Sequence, residues 1–527
     1  MAAAPDDPRR KQPAPGGAYA WYALGVLILV YALNFLDRQI PSILAERIKA
    51  DLGISDAQIG FLYGTAFAVF YAVFGIPLGR LADTWSRTRL ISIGLGFWSL
   101  MTALSGLARS FPQLALARIG VGVGEASASP AAYPMLADYF PERQRATVLA
   151  IYQGGIHIGS GLGLFIGGLI VQRWDGAWSG TAAPFGLRGW QVAFLAVGLP
   201  GLALALWTRT LREPARGQSD GILAPAEPHP LREFLRELRA VVPPLTLLHL
   251  RVERAGARAV LANLFSIVVL TVGAYLATAA LGNPIQWICL ALGLYAGVSW
   301  AQALRLRDRV AAEIILATPA LRWAALAFSG LAAAQYGLGF WTAPFFIRIH
   351  HVDEAHAGLV LGATHAVAGL IGVTLGGLLA DFWRRRTPAG RLYVTLLSAT
   401  LPVPIVASVL TVQSTSLAFA LYFPQSILTT LWAGPAVSTI QDLVLPRMRG
   451  TASAAYLLLV TIVGLAIGPY AIGRLSVALG DLRAAMLIGL SANLFALACG
   501  LLAARTFARD EASKLGRARA AGEVFLT

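Results

Sequence analysis

Apolar residues recur along the chain in runs of about twenty to thirty, a length that matches the hydrocarbon thickness of a bilayer, and short polar breaks divide the runs. In that setting only helices and closed barrels satisfy their own backbone. The pattern predicts transmembrane helices at 20–47, 57–82, 89–109, 112–138, 145–171 and 189–209, and again at 321–348, 356–381, 390–411, 415–443, 450–478 and 484–507. Between the sets, 210–259 is polar and arginine-rich, with an amphipathic stretch at "LREFLRELRAVV". Two further runs, 260–282 and 284–304, joined by the breaker "GNP", predict a hairpin that also crosses the membrane. The expectation is an all-α membrane protein of fourteen helices. Two six-helix bundles (20–209 and 321–507) flank a cytoplasmic linker with an amphipathic helix (210–259), the inserted hairpin (260–304) and a connector (305–320), with tails at 1–19 and 508–527.

Composition supports this class. Hydrophobic residues make up 57% and charged residues 13%, with a mean hydropathy of +0.64, whereas soluble chains carry about 25% charged residues. A net charge of +15 would suit a polyanion, but the basic residues are in the wrong places for nucleic acid. Of the 42 Lys and Arg, 31 lie on one set of alternating loops and the tails, seven on the opposite loops, and four (Arg38, Arg118, Arg322, Arg474) in or at the edges of helices. That asymmetry places both termini in the cytoplasm. The first twenty residues read as a disordered Pro/Ala-rich tail. The run after them is too long for a signal-peptide core and is expected to be retained. Cys289 and Cys499 fall inside apolar runs and suggest neither a disulfide nor a metal site. Arginine far outnumbers the three lysines, which points to a GC-rich bacterium and hence its inner membrane.

The two sets of six resemble each other. "GRLADTWSR" (79–87) recurs as "GLLADFWRR" (377–385), and "PERQRAT" (141–147) is echoed by "PRMRGT" (446–451), with Tyr152 and Tyr456 each five residues after the Thr. Similar halves related by an axis along the membrane normal are the layout of transporters that rock around a central site. On these residues the chain resembles the major facilitator superfamily: Gly79-Arg80-Leu81-Ala82-Asp83 with Arg87 and Arg89 matches its loop 2–3 signature, and Arg118 with Gly122 and Gly124 its helix-4 signature. The glycine-rich fifth span matches its helix-5 signature. "NFLDRQ" in helix 1 and "RIGVGVGEASASPAAYPMLADYFP" in helix 4 resemble the spinster branch, whose members move lysophospholipids and sphingoid lipids.

A charge at the bilayer centre costs roughly 3 kcal/mol or more, so intramembrane ionisable groups call for a function. Asn34, Asp37, Arg38 and Pro41 form one polar stripe on helix 1, and Arg118, Gly122, Glu125 and Ser129 another on helix 4. Counted from the outer helix ends at 1.5 Å per residue, Asp37 lies about 15 Å deep and Glu125 about 18 Å deep. The resemblance implies that both helices line the cavity, so Asp37, Arg38, Arg118 and Glu125 are expected to form one buried cluster. Asp37 and Glu125 are the candidate proton carriers, and the alternative is a permanent ion-pair lattice.

On helix 5, Gly155, Gly159, Gly163 and Gly167 make a small-residue ribbon for helix packing, and Gln153, His157 and Ser160 face the other way. His157 and His365 are candidate polar contacts or proton carriers. Asp83, Arg87, Arg89, Asp381 and Arg385 in the paired loops read as gates. Gln335, Tyr336, Trp341, Gln425 and Trp432, with Asn34, Arg38, Arg118 and Gln153, complete the candidate substrate contacts. "HHVDEAH" (350–356) looks metal-like but lies in a predicted outer loop and matches no metalloprotease pattern, so no metal is expected. Neither a nucleophile motif nor an aspartate-rich phosphate site is present, so no enzyme is expected.

The expected activity is secondary transport by a monomer surrounded by membrane lipids. It moves a small amphipathic substrate, a lysolipid by resemblance, with a proton as coupling ion and no cofactor. A multidrug or organic-anion/proton transporter of the same superfamily is the alternative, and a non-transporting receptor the second.

Overall fold

The computed structural model describes residues 15–179, 181–220 and 229–523; the expected disorder of residues 1–14, part of the linker at 221–228 and the last residues of the C-terminal tail lie outside them. Among the described residues the chain is helical, with no strand. The first half holds α1 (Ala18–Leu52), α2 (Asp56–Tyr63), α3 (Thr65–Thr84), α4 (Arg87–Ser105), α5 (Phe111–Glu125), α6 (Ala128–Tyr139), α7 (Glu142–Ala177) and α8 (Gly189–Arg209). The middle holds α9 (Pro230–Val241), α10 (Leu245–Val252), α11 (Ala257–Leu281), α12 (Pro284–Arg307) and α13 (Arg309–Ala317). The second half holds α14 (Pro319–Ile349), α15 (Glu354–Arg384), α16 (Gly390–Thr400), α17 (Pro402–Thr411), α18 (Thr415–Thr430) and α19 (Ala433–Asp442). It continues with α20 (Arg449–Leu459), a π-helical turn at Val460–Leu465, α21 (Gly468–Leu479), α22 (Leu482–Gly489), α23 (Ser491–Ala512) and α24 (Lys514–Ala520).

Each predicted span coincides with a helical run. Ten of the described helices are long and apolar enough to cross a membrane, eleven if α13 and α14, bent by 62°, count as one span. The runs at 111–139 and 415–442 are not among them; they are formed by α5 and α6, with 15 and 12 residues, and by α18 and α19, with 16 and 10. The run at 87–105 opens on Arg87 and Arg89. The connector expected at 305–320 is mostly helix, because Asp308 caps α13 by accepting from Ala311 N at 2.9 Å and Ile314 and Ile315 are buried.

The internal repeat is realised as packing. Tyr152 stacks on Tyr31 of α1 with ring centroids 4.3 Å apart, and its counterpart Tyr456 meets Phe328 of α14 at 5.7 Å. Across the halves α7 packs on α15 while α21 packs on α2, the same pair of contacts exchanged. Within the first half the glycine ribbon of α7 lies on α1: a Cβ at Gly159 would sit 2.0 Å from the Ala32 carbonyl oxygen, so any larger residue would separate the helices.

The inserted hairpin stands at the rim. Only Asn263 of α11 is buried; it donates to Ser299 Oγ at 3.1 Å and Gln302 Oε1 at 2.8 Å and accepts from the Tyr295 hydroxyl at 2.7 Å, all three on α12. Hydrogen bonds of this kind hold helices together in lipid, where apolar contact alone gives little drive.

Candidate functional site

Near the middle of the bundle, α1 and α5 bring four charged side chains together. Arg38 Nε donates to Glu125 Oε2 at 2.7 Å, and Arg118 Nη1 to the Asp37 backbone carbonyl at 3.4 Å. Asn34 is buried beside Glu125. Glu125 and Arg118 are sealed in, whereas the Arg38 side chain keeps 14% of its surface open and is the accessible member of the pair. The Asp37 carboxyl is buried without an ion-pair partner, and its polar neighbours are two neutral donors, the Trp98 indole and the Thr102 hydroxyl.

Three aromatic rings surround the Arg38 guanidinium: Phe35 and Phe67 at 4.7 Å and Tyr71 at 4.6 Å from its centre. The Arg118 guanidinium lies 5.8 Å from the centre of the same Phe67 ring. The ring is this close because α3 and α5 touch at Gly122, where a Cβ would meet the Phe67 carbonyl at 2.4 Å. Cations over ring faces gain about 0.5–2 kcal/mol each, more as water is excluded, which offsets part of the cost of burying Arg38. The spacing of the stripes pointed to the charges. The cage around them was detectable only as Phe35 three residues before Arg38 and as Phe67 and Tyr71 four residues apart on one face of α3.

His157 and His365 face each other across the halves, with ring centroids 5.7 Å apart. His365, Gln335 and Gln425 line a cavity of about 50 Å³ in the second half, with Tyr422 and Asn493, room for a few waters. Tyr336 packs against the core clusters of both halves. Trp341 is enclosed, its Nε1 donating to the Pro469 carbonyl at 2.9 Å, and Trp432 stacks on Phe328. Neither lines that cavity. Gln153 is exposed.

At the loop 2–3 signature, Arg87 is buried and reaches Asp138 Oδ2 at 2.5 Å, Glu213 Oε1 at 2.8 Å and the Pro214 carbonyl at 2.8 Å. Asp83 and Arg89 are exposed, and Arg216 of the linker donates to the carbonyls of Ala82, Asp83 and Trp85 at the end of α3. Burial alone would raise the Glu213 carboxyl, but hydrogen bonds from Arg87 and Thr88 outweigh it and hold the group below the ordinary carboxylate range. In the second copy Arg384, not Arg385, makes the ion pairs, to Glu511 and Asp442; Arg385 is exposed, and Asp381 is 3.8 Å from Arg391.

At the other end the halves are clasped together. Arg348 pairs with Glu46 at 2.6 Å and Asp56 at 2.8 Å, and Arg47 pairs with Glu354 at 2.7 Å. Just inside, Ser42 Oγ donates to the Phe340 carbonyl at 2.5 Å. Partly exposed ion pairs contribute up to about 1 kcal/mol each, and 1–2 kcal/mol is roughly a five- to thirtyfold change in a two-state ratio. Replacing Arg348 by Ala is expected to raise the labelling rate of a Cys at position 42 by a reagent confined to this side at least about fivefold. An unchanged rate would mean that these ion pairs do not hold the end closed.

The sequence profile of the Major Facilitator Superfamily matches residues 27–469. An MFS-type efflux pump of Mycolicibacterium smegmatis is 29% identical over 504 residues, 94% of this chain and 95% of that one. Human protein spinster homolog 1 is 26% identical over 470 residues, 86% of this chain and 72% of that one. Among solved structures, a bacterial homolog to the human lysosomal transporter Spinster, in an inward-facing and occupied conformation, matches with a TM-score of 0.70 and 26% identity over 94% of this chain and 99% of that one.

Proposed function

This chain belongs to the Major Facilitator Superfamily and is spinster-like, a transporter and not an enzyme, and from that premise we propose that it couples proton movement to the transport of lysophospholipid-like amphiphiles. The observation that carries the reading is the unequal partnering of the two buried acids. Glu125 holds Arg38 in an ion pair, while Asp37 has no cation paired with it and only neutral neighbours, Trp98 and Thr102, beside its carboxyl. An ionised carboxylate buried without a partner is costly, so Asp37 suits the proton-loaded form and Glu125 the form that keeps Arg38. Arg38 is attached one residue from Asp37 and can exchange one acid for the other as the halves rock. The exposed part of its guanidinium meets the substrate phosphate, and the rings of Phe35 and Tyr71 flank the acyl chain near the head. With the termini cytoplasmic, the clasp at Arg348 and Arg47 lies on the outer side and holds it closed.

The test is transport in proteoliposomes under an imposed pH gradient, with lysophospholipids, sugars, amino acids and cationic dyes compared. Gradient-dependent movement of lysophospholipid supports the proposal. The efflux pump that aligns over 94% of the chain favours a second reading, a drug/proton antiporter, and gradient-driven dye movement without lysolipid movement would establish it. Transport of nothing in the panel would leave the receptor reading.

The membrane orientation has its own check. With both termini and the linker cytoplasmic, a Cys at 353 should react with an impermeant reagent added to intact cells and a Cys at 220 should not. Asp353 is exposed at the cap of α15. Native Cys289 and Cys499 are buried and keep the background low. The reverse pattern would invert the topology.

A further inference from the structure

We propose that the cavity between α9 and α10, far in sequence from the central charge cluster, binds the phosphate headgroup of an acidic phospholipid. The two short helices enclose about 370 Å³, with Arg232, Glu233, Arg236, Arg239, His249 and Glu253 in the walls. The acids there are already engaged: Glu233 pairs with Arg80 of α3 at 3.2 Å and Glu253 with Arg236 at 2.9 Å. The Arg232 and Arg239 guanidinium groups have no hydrogen-bond or ion-pair partner among the described residues, so the cavity holds uncompensated positive charge. Its floor supplies a second, independent signal. His249 is only 4% exposed, and its Nε2 has no partner.

Burial and the nearby Arg307 charge push the His249 imidazole below its ordinary value, so near neutral pH it brings a hydrogen bond without adding charge. Guanidinium groups pair with phosphate oxygens through two parallel hydrogen bonds. The buried, unpartnered His249 Nε2 in the same lining adds a further polar contact for a tetrahedral oxyanion. The surroundings decide between a lipid and a soluble anion. Leu231, Leu235, Leu248 and Val252 lie exposed beside the cavity, 44–64% open to their surroundings. An arginine-lined pocket with an adjoining apolar face matches an amphipathic helix pair at the headgroup level of an anionic leaflet.

Occupancy has a structural consequence. α9 is tied to α3 through Arg80 and to the inserted hairpin through Arg307 and Glu237 at 2.5 Å. A lipid seated here would fasten linker, hairpin and first bundle to one another. The site rests on the membrane assignment of the chain and not on the proposed substrate.

The test is the melting temperature of the full chain in detergent with phosphatidylglycerol, phosphatidylcholine or inorganic phosphate added. Phosphatidylglycerol is expected to raise it by roughly 4 °C and the other two by little. The Arg232→Ala, Arg239→Ala double variant should lose most of that rise. A control pair of exposed arginines elsewhere, Arg143→Ala with Arg505→Ala, should keep it, as should Arg38→Lys, which separates this site from the transport site. If the double variant does not fold, Arg239→Gln serves, losing about half of the rise. Equal rises in the site and control variants would show diffuse surface charge and overturn the site. An equal rise with inorganic phosphate would overturn the lipid and leave a free-anion site.

Discussion

Replacing Glu125 by Gln is expected to leave a folded protein whose transport no longer responds to a pH gradient. The side chain is buried and accepts from Arg38 Nε at 2.7 Å. Removing one partner of a buried ion pair ordinarily destabilises by about 3–5 kcal/mol, because the other charge is stranded. Two features reduce that penalty here. The Gln carbonyl can still accept from Nε, and the three rings around the guanidinium remain. What disappears is the site at which a proton competes with Arg38. Gradient-driven uptake should fall by at least about tenfold, a change of ~1.4 kcal/mol or more in the effective barrier, while counterflow exchange without a gradient persists. Uptake that still follows the gradient in this variant would reduce Glu125 to an ion-pair partner. The companion Asp37→Asn removes the acid that holds no cation and should also uncouple transport, but with a smaller effect on thermal stability because no ion pair is broken.

The bilayer makes some features of this chain easy to read and hides others. Its helices were legible because the hydrocarbon core requires long apolar runs with internally satisfied backbone. Their interruptions were not. The apolar pattern runs unchanged through the break at Ala126–Ser127 and the π-helical turn at Val460–Leu465, and the break before Pro402 is marked only by its proline. The charged stripes of helices 1 and 4 were legible because a helical period places Asn34, Asp37 and Arg38 on one face, and Arg118 and Glu125 on another. That those faces meet was an inference from depth and resemblance, and the 2.7 Å contact between Arg38 and Glu125 is what that inference needed.

Long-range partners were out of reach. Arg87 could be singled out from its loop signature, yet Glu213 lies 126 residues later in a polar linker, where nothing in the local pattern distinguishes it from other solvated acids. The same limit separates Arg384 from Arg385. Neighbouring residues point about 100° apart on a helix, and only the positions of Glu511 and Asp442 select Arg384. Reading aromatic residues by type alone has a related weakness. Trp341 and Trp432 are amphipathic enough to contact a lipid, but their surroundings are the Pro469 carbonyl and the Phe328 ring. Phe35, Phe67 and Tyr71, unremarked in the sequence, stand against the accessible cation.

Changing Arg38 to Lys tests the substrate more sharply than removing the charge would. Lysine keeps the positive charge near Glu125, so the charge count of the cluster is unchanged and folding is expected to survive. It loses three things that belong to a guanidinium: the directed Nε bond to Glu125, the flat face that lies against three rings at 4.6–4.7 Å, and the paired donors that match two phosphate oxygens. A compact ammonium also holds its water more strongly, which works against entry into an aromatic cage. For a lysophospholipid the Arg38→Lys variant should therefore show a KM raised by about tenfold, as expected for ~1.4 kcal/mol of lost binding. A single-chain lipid without phosphate, such as a monoacylglycerol, has no such contact to lose, and any transport of it should be little affected. Initial rates against concentration in proteoliposomes, with both lipids measured on the same preparation, give the comparison. If the KM values for the two lipids rise together, Arg38 shapes the cavity without reading the headgroup. If neither rises, the guanidinium serves coupling alone and the phosphate is held elsewhere.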